Sequence, residues 1–222
     1  MNKKTYNKIE KFMRHYMKDS AHDLLHVYRV LHQALNLAKS YKTVNRDVLI
    51  ASCLLHDIGR KIQYNDNRLC HAVEGGKIAY DYLIRLGYDE QFCIHVKDCI
   101  TSHRFRTNNY PKTIEAQILF DSDKLDVTGS LGIARSLMYI GKVGEPLYTI
   151  DDNYTVLDGR NKNSPESFLK EYHFKLIKLY DMFYTKEAKN IAQRRKIITK
   201  AFFDELLMEV TTGDLNKLLE FE

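Results

Sequence analysis

Four groupings of residues along this chain carry side chains that can do chemistry. They are His22 and His26 with Arg29, the adjacent pair His56-Asp57, the histidines His71 and His103, and the carboxylates Asp121, Asp123 and Asp126. The pair comes first. In Ala51-Ser-Cys-Leu-Leu-His56-Asp57-Ile58-Gly59-Arg60-Lys61, the tail of an apolar run from Val48 to Leu55 is followed by an imidazole and a carboxylate, then by a glycine stop. A buried ionised carboxylate needs a paired cation or a metal, and a neutral imidazole is the commonest nitrogen ligand of a divalent ion. A metal meets both demands. A core histidine bonded to its neighbour at a helix end would also meet them, and the dipeptide alone leaves both open.

The elements that must position these residues read as helices. Ile9, Phe12, Met13 and Tyr16 recur at helical spacing, which predicts an amphipathic first helix over 5–18. Asp19-Ser20 offers a cap for a second, over about 22–40. With about 3.6 residues per turn, that helix projects His22, His26 and Arg29 from nearly one face: a ligand, its partner and a phosphate-binding guanidinium, or three solvated polar groups. His32 falls on the other side and reads as solvated.

A central helix over about 45–60 carries His56 and Asp57 and ends at Gly59; Arg60 and Lys61 beyond it suit either a phosphate or a helix C-terminus. After a polar loop over 64–69, a helix starting near His71 and ending at Gly87 contains Gly75-Gly76, small residues that permit close backbone approach, with packing as the reading. The next, over 89–103, finishes at His103 before Arg104 and Arg106, so His103 is either a ligand or substrate contact or a helix-end cap; His95 reads as a packing residue.

The helix after Pro111 ends in Asp121-Ser-Asp123-Lys-Leu-Asp126, carboxylates that repel one another unless cations or hydrogen bonds relieve them. Asp123 follows the buried side; neither Asp121 nor Asp126 is taken as a ligand. A short glycine-interrupted helix is expected over 129–140, and a long irregular segment over 142–164, of the kind that forms lids. Two helices close the chain, from Pro165 to about 184 and over 186–211. Their cations Lys175, Arg194 and Arg195 read as a solvated face.

The 222 residues suffice for one domain with a real core, and only 3 prolines and 10 glycines argue against a turn-rich β sandwich. The formal charge of +5 suits an anionic small molecule as well as nucleic acid. Cys53, Cys70, Cys93 and Cys99 form no C-x-x-C pair and read as free thiols. No apolar run approaches the roughly 20 residues of a membrane span, and no secretory leader is evident, so a cytoplasmic protein is expected.

The order His26, His56-Asp57, Asp123 across three predicted helices resembles the HD superfamily of metal-dependent phosphohydrolases. The surrounding segments His22-Asp-Leu-Leu-His26-Val-Tyr-Arg29, Leu54-Leu-His-Asp-Ile-Gly-Arg60 and Asp121-Ser-Asp-Lys-Leu-Asp126 are similar to a bacterial subfamily whose members resemble nucleotide pyrophosphohydrolases. The resemblance implies an all-α, single-domain HD helical bundle over 1–222, with a metal-binding core at about 20–130 and helices over about 165–212 packed on it.

It further implies one divalent ion on His26, His56, Asp57 and Asp123, with manganese, iron, cobalt, nickel or zinc suiting that donor set better than magnesium. Arg29, Arg60, Lys61, His71 and His103 become the phosphate-facing candidates, and Asp57, Arg29, Arg60 and Lys61 the catalytic ones. Some HD phosphodiesterases use two further histidines for a second ion, and His71 and His103 stand in that interval; one ion is the expectation. The Glu-Asp pair of guanosine-tetraphosphate hydrolases is absent from Ile58-Gly-Arg-Lys-Ile-Gln-Tyr-Asn-Asp66, which disfavours that substrate.

The implied substrate is a small phosphorylated molecule, a nucleotide above all. A binuclear phosphodiesterase on cyclic or oligonucleotides, or a non-catalytic nucleotide sensor, is the alternative. No nucleic acid or membrane partner is expected, and apolar residues on helix surfaces permit a homodimer.

Overall fold

The computed structural model describes residues 1–17, 24–104 and 109–211. The Asp19-Ser20 cap, His22 and Arg106 lie outside the described residues. Among the described residues the chain is all-α apart from one two-stranded hairpin, and it forms two compact units, Met1–Asp126 and a second from Val127 onward.

The first unit is built around a buried helix. Helix α1 (Lys3–Tyr16) starts where the Asn2 side chain accepts from the Thr5 amide, and it buries Ile9 and Met13. α2 (Leu24–Leu37) turns Val27, Val30, Leu31 and Ala34 inward together with His26, then tightens into a 3₁₀ turn at Ala38–Ser40. α3 (Arg46–Leu55) is capped by Asn45, and nearly every side chain from Val48 to Leu55 is buried. It packs against α1, α2 and three later helices: α5 (His71–Arg85), α6 (Glu90–Ser102) and α7 (Ile114–Leu125). Each fully buried aliphatic such as Leu49, Leu54 or Leu55 contributes roughly 1.5–3 kcal/mol of transfer free energy, so this helix anchors the unit.

The central helix ends earlier than its sequence pattern predicts. α3 stops at Leu55, residues 56–59 form a turn, and α4 (Arg60–Asn65) begins at Arg60. Gly59 is therefore not a left-handed stop. Its φ is −83°, and its small size serves close packing: a Cβ there would lie 2.2 Å from the His71 carbonyl oxygen and 2.7 Å from the Gly75 nitrogen. Gly75 returns the fit, its own Cβ position being 3.1 Å from the Gly59 nitrogen, while Gly76 faces Lys97 and Thr101 of α6. Backbone thus meets backbone where the turn touches α5, and His71 is drawn to the pair it must accompany.

The second unit holds α8 (Gly129–Val143), the hairpin β1 (Thr149–Ile150) and β2 (Val156–Leu157), α9 (Phe168–Glu171) and α10 (Lys186–Val210). The strands are antiparallel, with Thr149 opposite Leu157 and Ile150 opposite Val156, inside the segment expected to be irregular. The predicted helix to residue 184 is regular only as α9; it widens into a π turn at Tyr172–Leu176 and tightens to 3₁₀ at Ile177–Asp181. Phe168, Tyr172 and Leu176, spaced by four, drift around a 3.6-residue helix, and the wider turn offsets that drift so that all three reach a core with Ile133, Ile140 and Phe203. Tyr172 stacks on Phe203 with ring centroids 4.0 Å apart. No helix among the described residues is long and apolar enough to cross a membrane.

Gly59→Ala is expected to cost about 2 kcal/mol or more, since its Cβ collides with backbone that cannot rotate away, and Gly75→Ala less. Denaturant unfolding measures both; wild-type midpoints for Gly59→Ala would contradict the contact.

Candidate metal centre

Five elements of the first unit deliver side chains to one buried cluster. His26 comes from α2, His56 and Asp57 from the turn after α3, His71 from the first position of α5, His103 from the C-cap of α6, and Asp123 and Asp126 from the end of α7. All seven are buried.

They divide into two groups that share Asp57. In the first, His26 Nε2 lies 3.3 Å from His56 Nε2, 3.3 Å from Asp123 Oδ1 and 3.7 Å from Asp57 Oδ2. His56 Nε2 is 3.6 Å from Asp57 Oδ2 and 4.0 Å from Asp123 Oδ1. In the second, His71 Nε2 and His103 Nε2 are 3.3 Å apart and lie 3.5 and 3.7 Å from Asp57 Oδ1. The predicted quartet His26, His56, Asp57 and Asp123 is thus brought together, and His71 and His103 join it from the other side of the same carboxylate.

The outward nitrogens explain why four imidazoles can face one another. His56 Nδ1 donates to the Cys53 carbonyl at 2.8 Å and His103 Nδ1 to the Ile100 carbonyl at 2.5 Å. Each carbonyl stands three residues back at a helix end, where the regular i+4 ladder stops; the Ile100 carbonyl also accepts the His103 amide at 3.4 Å. His71 Nδ1 donates to Gln63 Oε1 at 2.6 Å and His26 Nδ1 to Asp126 Oδ2 at 2.7 Å. With every Nδ1 proton spent outward, all four rings turn Nε2 inward, as a lone pair on neutral His56, His71 and His103 and as an exchangeable N–H on His26, the arrangement that ligating histidines use. The His71 and His103 lone pairs, 3.3 Å apart, repel unless a cation lies beside them. Asp57 Oδ2, buried and without a hydrogen-bond partner among the described residues, makes the same demand. The donor set therefore fits a divalent ion.

The electrostatics follow from burial set against charge. Burial acts to depress the His26 imidazole, but its bonds to Asp123 and Asp126 outweigh that and raise it to about 9. Burial lowers His56. Burial, with the Arg60 charge, pushes His71 down to about 2; burial, with His56, pushes His103 down to about 3. Burial alone would raise Asp57 and Asp123, yet His56 and Arg60 hold the first, and Lys124 and His26 the second, well below the usual carboxylate range.

Each carboxylate also has a cation of its own. Arg60 Nε donates to Asp57 Oδ1 at 2.8 Å, Lys124 Nζ to Asp123 Oδ2 at 2.8 Å, and Arg29 Nε to Asp126 Oδ1 at 2.7 Å. Arg29 and Arg60 are thereby fixed beside the cluster and part-exposed, as phosphate-facing residues need to be, whereas Lys61 stands exposed on α4. Asp126, not expected as a ligand, bonds His26 Nδ1 and Arg29 and so orients the two together. Gln63 and Lys124 were missed. An i−3 carbonyl at a helix end flags His56 and His103 in sequence, but no local signal marks Gln63, whose Oε1 also accepts from Arg104 Nη1 at 2.8 Å. His95 bonds Thr113 and Glu115, as a packing residue does, and His32 stays with Asn36 at the surface.

Residues 24–128 match the HD domain family. This chain belongs to the HD superfamily. An HD-superfamily hydrolase from Bacillus thuringiensis is 27% identical, with a TM-score of 0.70 over 95% of this chain and 98% of that one. Bacillus subtilis YpgQ, in a structure with ADP, is 25% identical with a TM-score of 0.69, covering 92% of this chain and 97% of that one. The Listeria innocua 3'-5' exoribonuclease YhaM is 28% identical over 60% of this chain and 46% of its own length. Membership and the buried ligand set make the chain a metal-dependent phosphohydrolase of the HD type.

An ion at His26 Nε2 must expel the proton that His26 holds below about pH 9, so metal affinity is expected to rise about tenfold per pH unit from neutral towards that value and then level off. Calorimetry at pH 7.5 in buffers of different ionisation enthalpy should report about one proton released per ion; none released would refute the assignment. Asp126→Ala should weaken metal binding by roughly 10–100-fold, as loss of an orienting partner does, and chelator competition showing unchanged affinity would mean His26 is held by other means.

Proposed function

We propose that this HD-superfamily chain hydrolyses a phosphoanhydride or phosphate ester of a nucleotide in the cytoplasm, using one divalent ion on His26, His56, Asp57 and Asp123. The observation that carries the reading is the convergence of four Nδ1-anchored imidazoles on a carboxylate whose buried Oδ2 has no hydrogen-bond partner among the described residues. A divalent ion supplies hydroxide-generating Lewis acidity at neutral pH and offsets charge that gathers on a phosphoryl group.

The chain's own residues do the rest. Arg29, forked onto Asp126 through Nε and Nη2, and Arg60, tethered to Asp57 through Nε, offer preorganised guanidinium charge to phosphate oxygens, and Lys61 reaches the outer phosphates. His71 and His103 sit on the substrate side. As neutral rings they accept a hydrogen bond from a protonated phosphate oxygen or an attacking water, and an approaching anion draws a proton onto them and makes them donors. Two cations suited to planar, bidentate contact favour a phosphate chain over a single ester. The ADP in the YpgQ structure supports a nucleotide, and the Glu-Asp pair missing after Asp57 argues against guanosine tetraphosphate.

A second reading is favoured by the group of Asp57 Oδ1, His71 and His103: a binuclear phosphodiesterase acting on cyclic or oligonucleotides, in line with the likeness to YhaM.

The test is product analysis over nucleoside mono-, di-, tri- and cyclic phosphates and short oligoribonucleotides, each with manganese, cobalt, nickel, zinc or magnesium, for wild type and Asp57→Ala. Phosphate or pyrophosphate released only by metal-loaded wild type is expected, with Asp57→Ala losing both metal and activity. Turnover confined to cyclic or oligonucleotides moves the second reading ahead, and tight metal binding with no turnover points to a nucleotide sensor.

A further inference from the structure

The second group has three acceptors and one cation. Asp57 Oδ1, His71 Nε2 and His103 Nε2 lie within 3.7 Å of one another, and both imidazoles are held with lone pairs inward by Gln63 and the Ile100 carbonyl. Such a triad fits a divalent ion as the quartet does. The structure nevertheless supplies a competitor, because Arg60 Nε donates to the very oxygen the triad shares, at 2.8 Å.

Arg60 owes this reach to the early end of α3. It opens α4 three residues after Asp57, and the packing of Gly59 against His71 and Gly75 keeps that turn tight against the triad. Its side chain is 28% exposed, with water on one side into which it can withdraw. A guanidinium cannot lose its charge in a protein, so while it holds Asp57 Oδ1 it both takes up one of the oxygen's two lone pairs and repels a divalent ion from the imidazoles beside it. No arginine or lysine among the described residues holds the quartet's inward oxygens in this way: Asp57 Oδ2 has no hydrogen-bond partner among them, and Lys124 engages Asp123 through Oδ2, away from the Oδ1 that faces His26.

We propose that Arg60 is the built-in cation of the second group and sets the metal stoichiometry, holding the protein at one ion per chain; when Arg60 leaves Asp57, the Asp57–His71–His103 triad takes a second divalent ion. This rests on the metal reading of the quartet proposed above and deepens it. A phosphate anion that draws Arg60 outward would, by the same competition, open the triad during binding. Arg60 is thus a positioning residue for metal occupancy as well as a phosphate contact.

Manganese bound per chain decides the matter, measured by elemental analysis after equilibrium dialysis, with electron paramagnetic resonance to detect a spin-coupled ion pair. Wild type and Arg60→Lys, which keeps a cation, should bind one ion, Arg60→Ala two with a coupled spectrum, and Arg60→Ala/His71→Ala one again. Arg60→Gln provides a second neutral variant, and thermal unfolding confirms that each is folded. One ion in both folded neutral variants, or two ions of equal affinity in wild type, overturns this inference and leaves the quartet standing. No ion in wild type overturns the metal reading and this inference with it.

Discussion

The structure depends on the Asp57 carboxylate, a charge placed where water does not reach. Leaving it unpaired would cost several kcal/mol, and the chain answers by surrounding it from five elements rather than by exposing it. Its two oxygens are treated differently. Oδ1 is held by Arg60 and faces His71 and His103; Oδ2 faces His26 and His56 and has no hydrogen bond of its own among the described residues. A carboxylate divided in this way is a bridge between two donor groups, and the turn that carries it can exist only because Gly59 lets α5 come to backbone distance.

The fold and the site solve one problem together. Helices that end inside a protein leave carbonyls without partners, and a polar cavity would ordinarily make that worse. Here α3 and α6 both end at the cluster, and the Cys53 and Ile100 carbonyls at those ends accept from the rings of His56 and His103, which are thereby fixed with Nε2 pointing inward. Helix termination, usually a cost, becomes the device that orients ligands. The elements contribute ends rather than faces, which is why the cluster stays buried though it gathers five of them.

That arrangement also sets what could be read from sequence. His56, Asp57 and Asp123 were legible because each follows or ends a strongly apolar helix, so burial could be inferred before role, whereas helical spacing alone left His26 between a ligand and a solvated group. The amphipathic periods of α1, α2, α5, α6 and α7 were legible for the same reason. Gln63 was not, since a lone amide on a short helix has no pattern; its meaning appears only when Arg104 and His71 arrive from 41 and 8 residues away. Nor was the double service of Asp126 to His26 and Arg29, which spans about a hundred residues. The hairpin and the π turn of the second unit escaped because two-residue strands carry no alternation, and because an i, i+4, i+8 series looks the same in sequence whether or not the backbone widens to hold it.

Charge balance ties the cluster to the class of molecule it suits. Asp57, Asp123 and Asp126 are matched one for one by Arg60, Lys124 and Arg29, so before any ion binds the carboxylates are already neutralised. His26 adds a proton below about pH 9, and a divalent ion replaces that proton with two charges. The loaded site is therefore cationic in a low-dielectric setting, and the surplus has no carboxylate left to answer it. Only an incoming anion can, and the part-exposed faces of Arg29 and Arg60 are where it would meet first contact. A neutral substrate would leave that charge uncompensated. A phosphoryl group, doubly charged and able to spread its oxygens over planar guanidinium forks, removes it. The same pairs that keep the carboxylates from repelling one another thus bias the metal-loaded cluster towards phosphates, a selectivity that arises from the charges of six side chains before any contact with a base or a sugar is considered.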